Sequence, residues 1–388
     1  MKEHTLSVGI LSVGIFVIGA GMLVPLSVEY QRTTDSNATA SVEPTVVPTT
    51  TPPSWPLPLD REAYDRELLK LVDRYEAASD ASSQASAGTT TATITANTGP
   101  ELVYSSTTNV TIAGERWPAA APYPHGGALL PFNRIVAYYG NFYSTRMGIL
   151  GEFASTTVLD RLRETVAAYE AADPDTPVIP AIHYIASVAQ LDAGADGMYR
   201  NVMPDSEIEH AYELTQAIDG IMFIDLQIGL SDLETELPKF RRFLERPDVH
   251  LAIDPEFAMA ASGREPGTVI GTVSAAEMNY TIEYLSEIVR ELELPPKVLV
   301  IHRFTLDMVQ DHQAIEPTPE VQVVLHMDGW GSKELKRGTY RRVIEPEPIQ
   351  FAGVKIFYKN DLKPPSTGIF TPEEVIDLHP EPVYIQYQ

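Results

Sequence analysis

Residues 249–257 read "VHLAIDPEF": a short apolar run that meets two carboxylates, Asp254 and Glu256, with only Pro255 between them. Taken alone, this is a strand running into a solvated loop. The same pattern recurs along the chain, and the recurrence decides the fold. Working outward, β-rich apolar runs are "RIVAYYG" (134–140), "PVIPAIHYI" (177–185), "GIMFIDLQI" (220–228), "KVLVIHRF" (297–304), "VQVVLHMDG" (321–329), "GVKIFYK" (353–359) and "PVYIQYQ" (382–388). Most are unbroken apolar runs rather than strict alternations, as expected of parallel strands covered on both faces. Helical segments lie between several of them. Ser231 with Glu234, Ser274 with Glu277, and Thr371 with Glu374 fit the capping-box spacing, with Pro372 at a first helical position. Eight strand-then-helix units with right-handed crossovers predict an α/β protein, a (β/α)8 TIM barrel over residues 130–388.

The rest of the chain reads differently. Residues 6–28 carry no charge and, at about 1.5 Å rise per residue, are long enough to cross a bilayer. Lys2 before the run and Glu29 after it favour a cytoplasmic N-terminus. Residues 1–30 are therefore expected to be a transmembrane anchor, the alternative being a signal segment cleaved near residues 20–28. Either way the barrel is expected outside the cytoplasm, membrane-anchored or secreted. Residues 31–58, rich in Pro and Thr, read as a disordered stalk. Residues 59–78 read as an amphipathic helix with Leu59, Tyr64, Leu68, Leu71, Val72 and Tyr75 at helical spacing. Residues 79–129 read as a linker and lead-in. No helical segment follows the eighth strand, so helix 59–78 is expected either to pack back over that gap or to belong to the stalk.

Composition narrows the function. Acidic residues outnumber basic ones 53 to 28, for a formal charge of -25. That argues against nucleic acid, which needs a basic footprint. The chain has no cysteine, which excludes disulfides, thiolate metal sites and a Cys nucleophile.

In a (β/α)8 barrel, chemistry sits at the C-terminal ends of the strands. The polar residues there are His183 and Tyr184, Asp225 and Gln227, Asp254 and Glu256, His302 and Arg303, His326 and Asp328 with Trp330 beyond, Lys359, and Gln386. Side chains two apart on a strand share a face, so Asp225/Gln227, Asp254/Glu256 and His326/Asp328 form three same-face pairs. Pro255 favours an extended link that keeps its pair aligned. Crowded carboxylates push one pKa up, which keeps a general acid protonated near neutral pH. This is the equipment of glycoside hydrolysis, with Glu256 as acid and Asp254, Asp225 or Asp328 as its partner. His183, Tyr184, Gln227, His302, Arg303, His326, Trp330, Lys359 and Gln386 are the expected substrate contacts. Tyr139 reads as barrel packing. Loops 186–204 and 260–273 are candidate substrate loops.

The endings "AIDPEF" and "VVLHMDGW" resemble those of secreted (β/α)8-barrel glycoside hydrolases, in particular Chalaropsis-type lysozymes. The resemblance implies Glu256 as the acid, assisted by Asp254 and Asp328, a carbohydrate ligand and no cofactor. That family also carries an Asp at the end of strand one, where this chain has "YYGNFY". The departure bears on peptidoglycan as substrate. Two alternatives remain open. One is a hydrolase using zinc or manganese on His183, His302 and His326 with the carboxylates. The other is a barrel that binds a glycan, or another small polar ligand, without cutting it.

Overall fold

The computed structural model describes residues 55–71, 102–104, 109–112 and 116–388. The expected membrane segment 1–30, most of the stalk and the end of helix 59–78 lie outside the described residues. Among the described residues, no helix is long and apolar enough to cross a membrane.

Eight parallel strands close into a barrel with helices between strands, as in a TIM barrel. They are β1 (Arg134–Gly140), β2 (Val178–Ala189), β3 (Ile221–Leu226), β4 (Val249–Ile253), β5 (Lys297–Arg303), β6 (Val321–Met327), β7 (Phe351–Ile356) and β8 (Pro382–Tyr387). Sequence order is spatial order, and β8 closes on β1 with Tyr384 opposite Ile135 and Tyr387 opposite Tyr138. Every residue of β1, β3, β4, β5, β6, β7 and β8 is buried, which is why these strands are apolar almost throughout. β2 runs past the barrel rim and folds back as a hairpin onto Arg200–Val202.

The crossovers carry helices α1 (Ser155–Ala172) and α2 (Asp205–Gln216), then α3, which starts at Leu233 and continues through a 3-10 turn to Leu244. After β4 comes α4 (Ala275–Leu292), after β6 α5 (Lys333–Val343), and after β7 the short α6 (Pro372–Ile376). Between β5 and β6 there is no α-helix but two 3-10 turns, Leu306–Met308 and His312–Ala314, and between them the short strand Val309–Gln310, paired with Val273–Ser274. The capping boxes at Ser274/Glu277 and Thr371/Glu374 form as expected. The one at Ser231 does not. Asp232 caps α3 by accepting from the Thr235 amide at 2.7 Å, and the Ser231 hydroxyl donates to Glu236 instead. Two candidate caps sit side by side there, and the carboxylate takes the position.

The N-terminal end of the barrel is closed by chain that precedes it. Residues 61–71 are helical, and Tyr64 and Leu68 are buried. They pack with Tyr123 and Leu130 against the inward side chains Ile135, Ala137, Phe223, Val298, Val300 and Phe351. This helix therefore belongs to the barrel's packing, at its floor. Gln322 of β6 fixes the lead-in by pairing both polar atoms of its amide with the backbone of Leu130. Leu102–Tyr104, Asn109–Ile112 and Ala121–Pro122 add a three-stranded antiparallel sheet, and the Trp117 indole donates to the Glu345 carbonyl.

Candidate active site at the barrel mouth

One strand step above the floor, the inward face turns polar. Asp225, Gln227, Asp254, His183, His302, His326, Lys355 and Gln386 are all buried there. Above them opens a cleft of about 670 Å³ lined by Tyr139, Gln227, Asp254, Glu256, Asp328 and Lys355, with Trp330, Arg146 and Arg342 toward the rim. Trp330 is half exposed, a flat apolar face beside the acids.

The opening motif is bent. β4 ends at Ile253, and Pro255–Phe257 forms a 3-10 turn. Asp254 caps that turn by accepting from the Glu256 amide at 3.1 Å. Asp254 is extended, as a residue before proline is expected to be, and the chain turns only after it, so the two carboxylates reach the cleft by an extended residue that also caps the turn. Gln227 fixes Asp254 from the neighbouring strand: its amide nitrogen donates to Asp254 Oδ2 at 3.2 Å while its oxygen accepts from the Ala189 amide. Burial pushes the Asp254 carboxyl well above the ordinary range, with the nearby carboxylates Asp225, Asp328 and Glu256 adding to it and His302 opposing.

Glu256 sits higher, partly buried on the cleft wall. Burial, then the charge of Asp328, raise it from 4.5 to about 7, with Lys355 and His302 offsetting part of the rise. Asp328 goes the other way. Burial would raise it, but Lys355 and His302 outweigh burial and hold it well below the ordinary range. Lys355 Nζ stands 3.4 Å from Asp328 Oδ1 and 3.6 Å from the centre of the Tyr139 ring. His302 Nδ1 lies 3.1 Å from Asp328 Oδ2 and 3.0 Å from His326 Nδ1. Two acids in one cleft are therefore shifted in opposite directions, Glu256 up and Asp328 down.

Below the cleft, Asp225 faces the ring nitrogens of His183 at 3.4 Å and His302 at 3.6 Å. His183 is oriented by Tyr384, whose hydroxyl lies 2.5 Å from Nδ1, and Gln386 donates to that hydroxyl at 3.2 Å.

Three expected substrate contacts point elsewhere. Tyr184 faces outward, stacked on Phe142, because it follows inward His183 and adjacent strand residues face opposite sides. Arg303 follows inward His302 and likewise turns outward, donating to the carbonyls of Thr305 and Leu306 and pairing with Glu347. Lys359 lies beyond the end of β7, exposed, and pairs with Glu152 at 2.7 Å. His183, His302, His326 and Gln386 face inward but lie under the cleft rather than on its wall. Conversely, Lys355, Tyr384 and Tyr139 belong to the cluster. Lys355 is visible in the sequence as the one charge inside the apolar run "GVKIF". Loops 186–204 and 260–273 meet where the Tyr199 hydroxyl donates to Glu265 at 3.1 Å.

No protein-family model and no curated protein matches this chain.

Proposed function

We propose that the barrel is a glycoside hydrolase acting outside the cytoplasm, with Glu256 as general acid and Asp328 as the ionised partner carboxylate. The observation that carries this reading is their shared cleft: Glu256 and Asp328 line the same open groove, bordered by the exposed ring of Trp330. Glycosidic cleavage needs one carboxyl that gives a proton to the leaving oxygen and one that acts as nucleophile or base. Burial keeps the proton on Glu256 near neutral pH, while Lys355 and His302 keep Asp328 charged. Asp254 stands beneath as a second carboxyl that seats Glu256 through its backbone amide. Gln227 and Tyr139 complete the polar wall, and Trp330 supplies a platform for a sugar ring.

The test is turnover of an oligosaccharide panel by the full-length chain and by Glu256→Gln and Asp328→Asn. Each substitution is expected to lower kcat about 10²- to 10⁴-fold while sugar binding persists. Sugar binding with no turnover in either protein would make the barrel a glycan-binding module. Absence of both would overturn the reading. A metal hydrolase that activates water at the cleft fits less well, since the histidines lie below the cleft wall.

A further inference from the structure

His183 and Asp225 have no part in that chemistry and His302 enters it only through Asp328, yet all three are fully buried. We infer that His183, Asp225 and His302 form a binding site for a divalent first-row transition-metal ion on the barrel axis, beneath the cleft. The ligand atoms are Nε2 of each imidazole and the Asp225 carboxylate. One donor atom from each residue lies within 4.8 Å of the others, and all three side chains are fully buried.

Three observations carry this site. First, its donor atoms are unsatisfied. His183 Nε2, His302 Nε2 and both oxygens of Asp225 make no hydrogen bond of normal geometry, although Asp225 faces His183 Nε2 at 3.4 Å and also interacts with Tyr139. Buried polar atoms are rarely left so, and four facing one another call for an occupant.

Second, the spacing suits an ion better than a direct bond. Asp225 Oδ2 stands 3.4 Å from His183 Nε2 and 3.6 Å from His302 Nε2. A charge-assisted N–H···O bond closes to about 2.7–2.9 Å. Two ligands each about 2.1 Å from a metal, and separated by a tetrahedral angle, stand about 3.4 Å apart.

Third, the far sides of both rings are already held. His183 Nδ1 meets the Tyr384 hydroxyl at 2.5 Å, and His302 Nδ1 lies 3.1 Å from the Asp328 carboxylate. Metal-bound histidines are fixed in this way, by a hydroxyl, carbonyl or carboxylate on the other ring nitrogen.

Two imidazoles and one carboxylate select a zinc-, manganese- or iron-like ion over calcium or magnesium, which prefer all-oxygen shells. The ion's part is to position. By anchoring His302, it fixes the group that touches Asp328 at the cleft. The site does not depend on the glycan reading, and a barrel of any function could carry it.

The test uses the full-length chain, unfolded in chelator and refolded with Zn²⁺, Mn²⁺ or Fe²⁺ supplied singly, the last without oxygen. After desalting, elemental analysis is expected to find one retained ion per chain for at least one of the three metals. Asp225→Asn and His183→Gln are expected to lose it while circular dichroism stays native. Tyr384→Phe is expected to weaken binding about 10- to 100-fold. Refolded wild type that retains none of the three ions overturns the site, as does equal retention by wild type and the two ligand variants. Should those variants fail to fold, X-ray absorption on the metal-loaded wild type decides. Scattering from two imidazoles supports the site, and an all-oxygen shell overturns it.

Discussion

The floor and the mouth of this barrel are built by the same eight strands, one pleat apart. At the floor the inward residues are Ala137, Ala181, Phe223, Ala252, Val300 and Val324. Two positions further along the same strands stand Tyr139, His183, Asp225, Asp254, His302 and His326. A step of roughly 7 Å thus separates a packed apolar plug from a cluster of charges. The floor lowers the free energy of the fold. The mouth opposes it, since carboxyls and imidazoles lose hydration there and recover it only through each other. A rigid apolar base is what allows such a cluster to be held in place.

The sharpest way to break this contrast is at the boundary. Phe223 is fully buried and packs its ring on His183 and His250. Phe223→Ala is expected to lower the unfolding free energy by about 3–5 kcal/mol, read from denaturant melts. A loss under about 1 kcal/mol would mean that the floor is not the barrel's anchor.

The mouth predicts a smaller effect of opposite sign. The folded protein holds the Glu256 proton more tightly than the unfolded chain does, since its pKa rises from 4.5 to about 7. The stability this contributes is fully present below about pH 4.5 and is lost as pH rises through about 7. Glu256→Gln has no proton to lose. After allowance for its partial exposure, the variant is expected to exceed wild type by on the order of 1 kcal/mol at about pH 8 and to match it at about pH 4. Equal stability at both values would show that the cleft does not strain Glu256. The smallest effect belongs to Lys359, which lies outside the cleft. Lys359→Ala is expected to change stability by less than about 0.5 kcal/mol and to leave sugar binding unchanged. A larger change in binding would extend the cleft past β7.

All eight strands are legible in the sequence, because burial on both faces leaves continuous apolar runs. Where they stop is legible only in part. The run 249–257 carries the local marks of a turn, Asp254 as cap and Pro255 at the first position, but the Gln227 amide that holds the other oxygen of Asp254 comes from the end of the preceding strand. The site is legible to the degree that parity is. Asp225, Gln227, Asp254, His183, His302 and His326 fall on the inward face. Tyr184 and Arg303 stand next to inward residues, and neighbours on a strand cannot both face in. Lys355 requires the register of β7 against β6, which places Gly353 opposite His326. No single strand contains that information.

The helix at residues 61–71 has a practical consequence for anyone dividing this chain. Residues 79–99 look like a natural place to cut, and a fragment starting at residue 100 would contain every strand of the barrel. It would lack Tyr64 and Leu68, leaving Ile135, Phe223 and Phe351 without their cover at the open end. Such a fragment should associate through its bared base, or take back a synthetic peptide of residues 53–78 supplied in trans. A protein nicked in that stretch should stay whole until denaturant parts the two pieces.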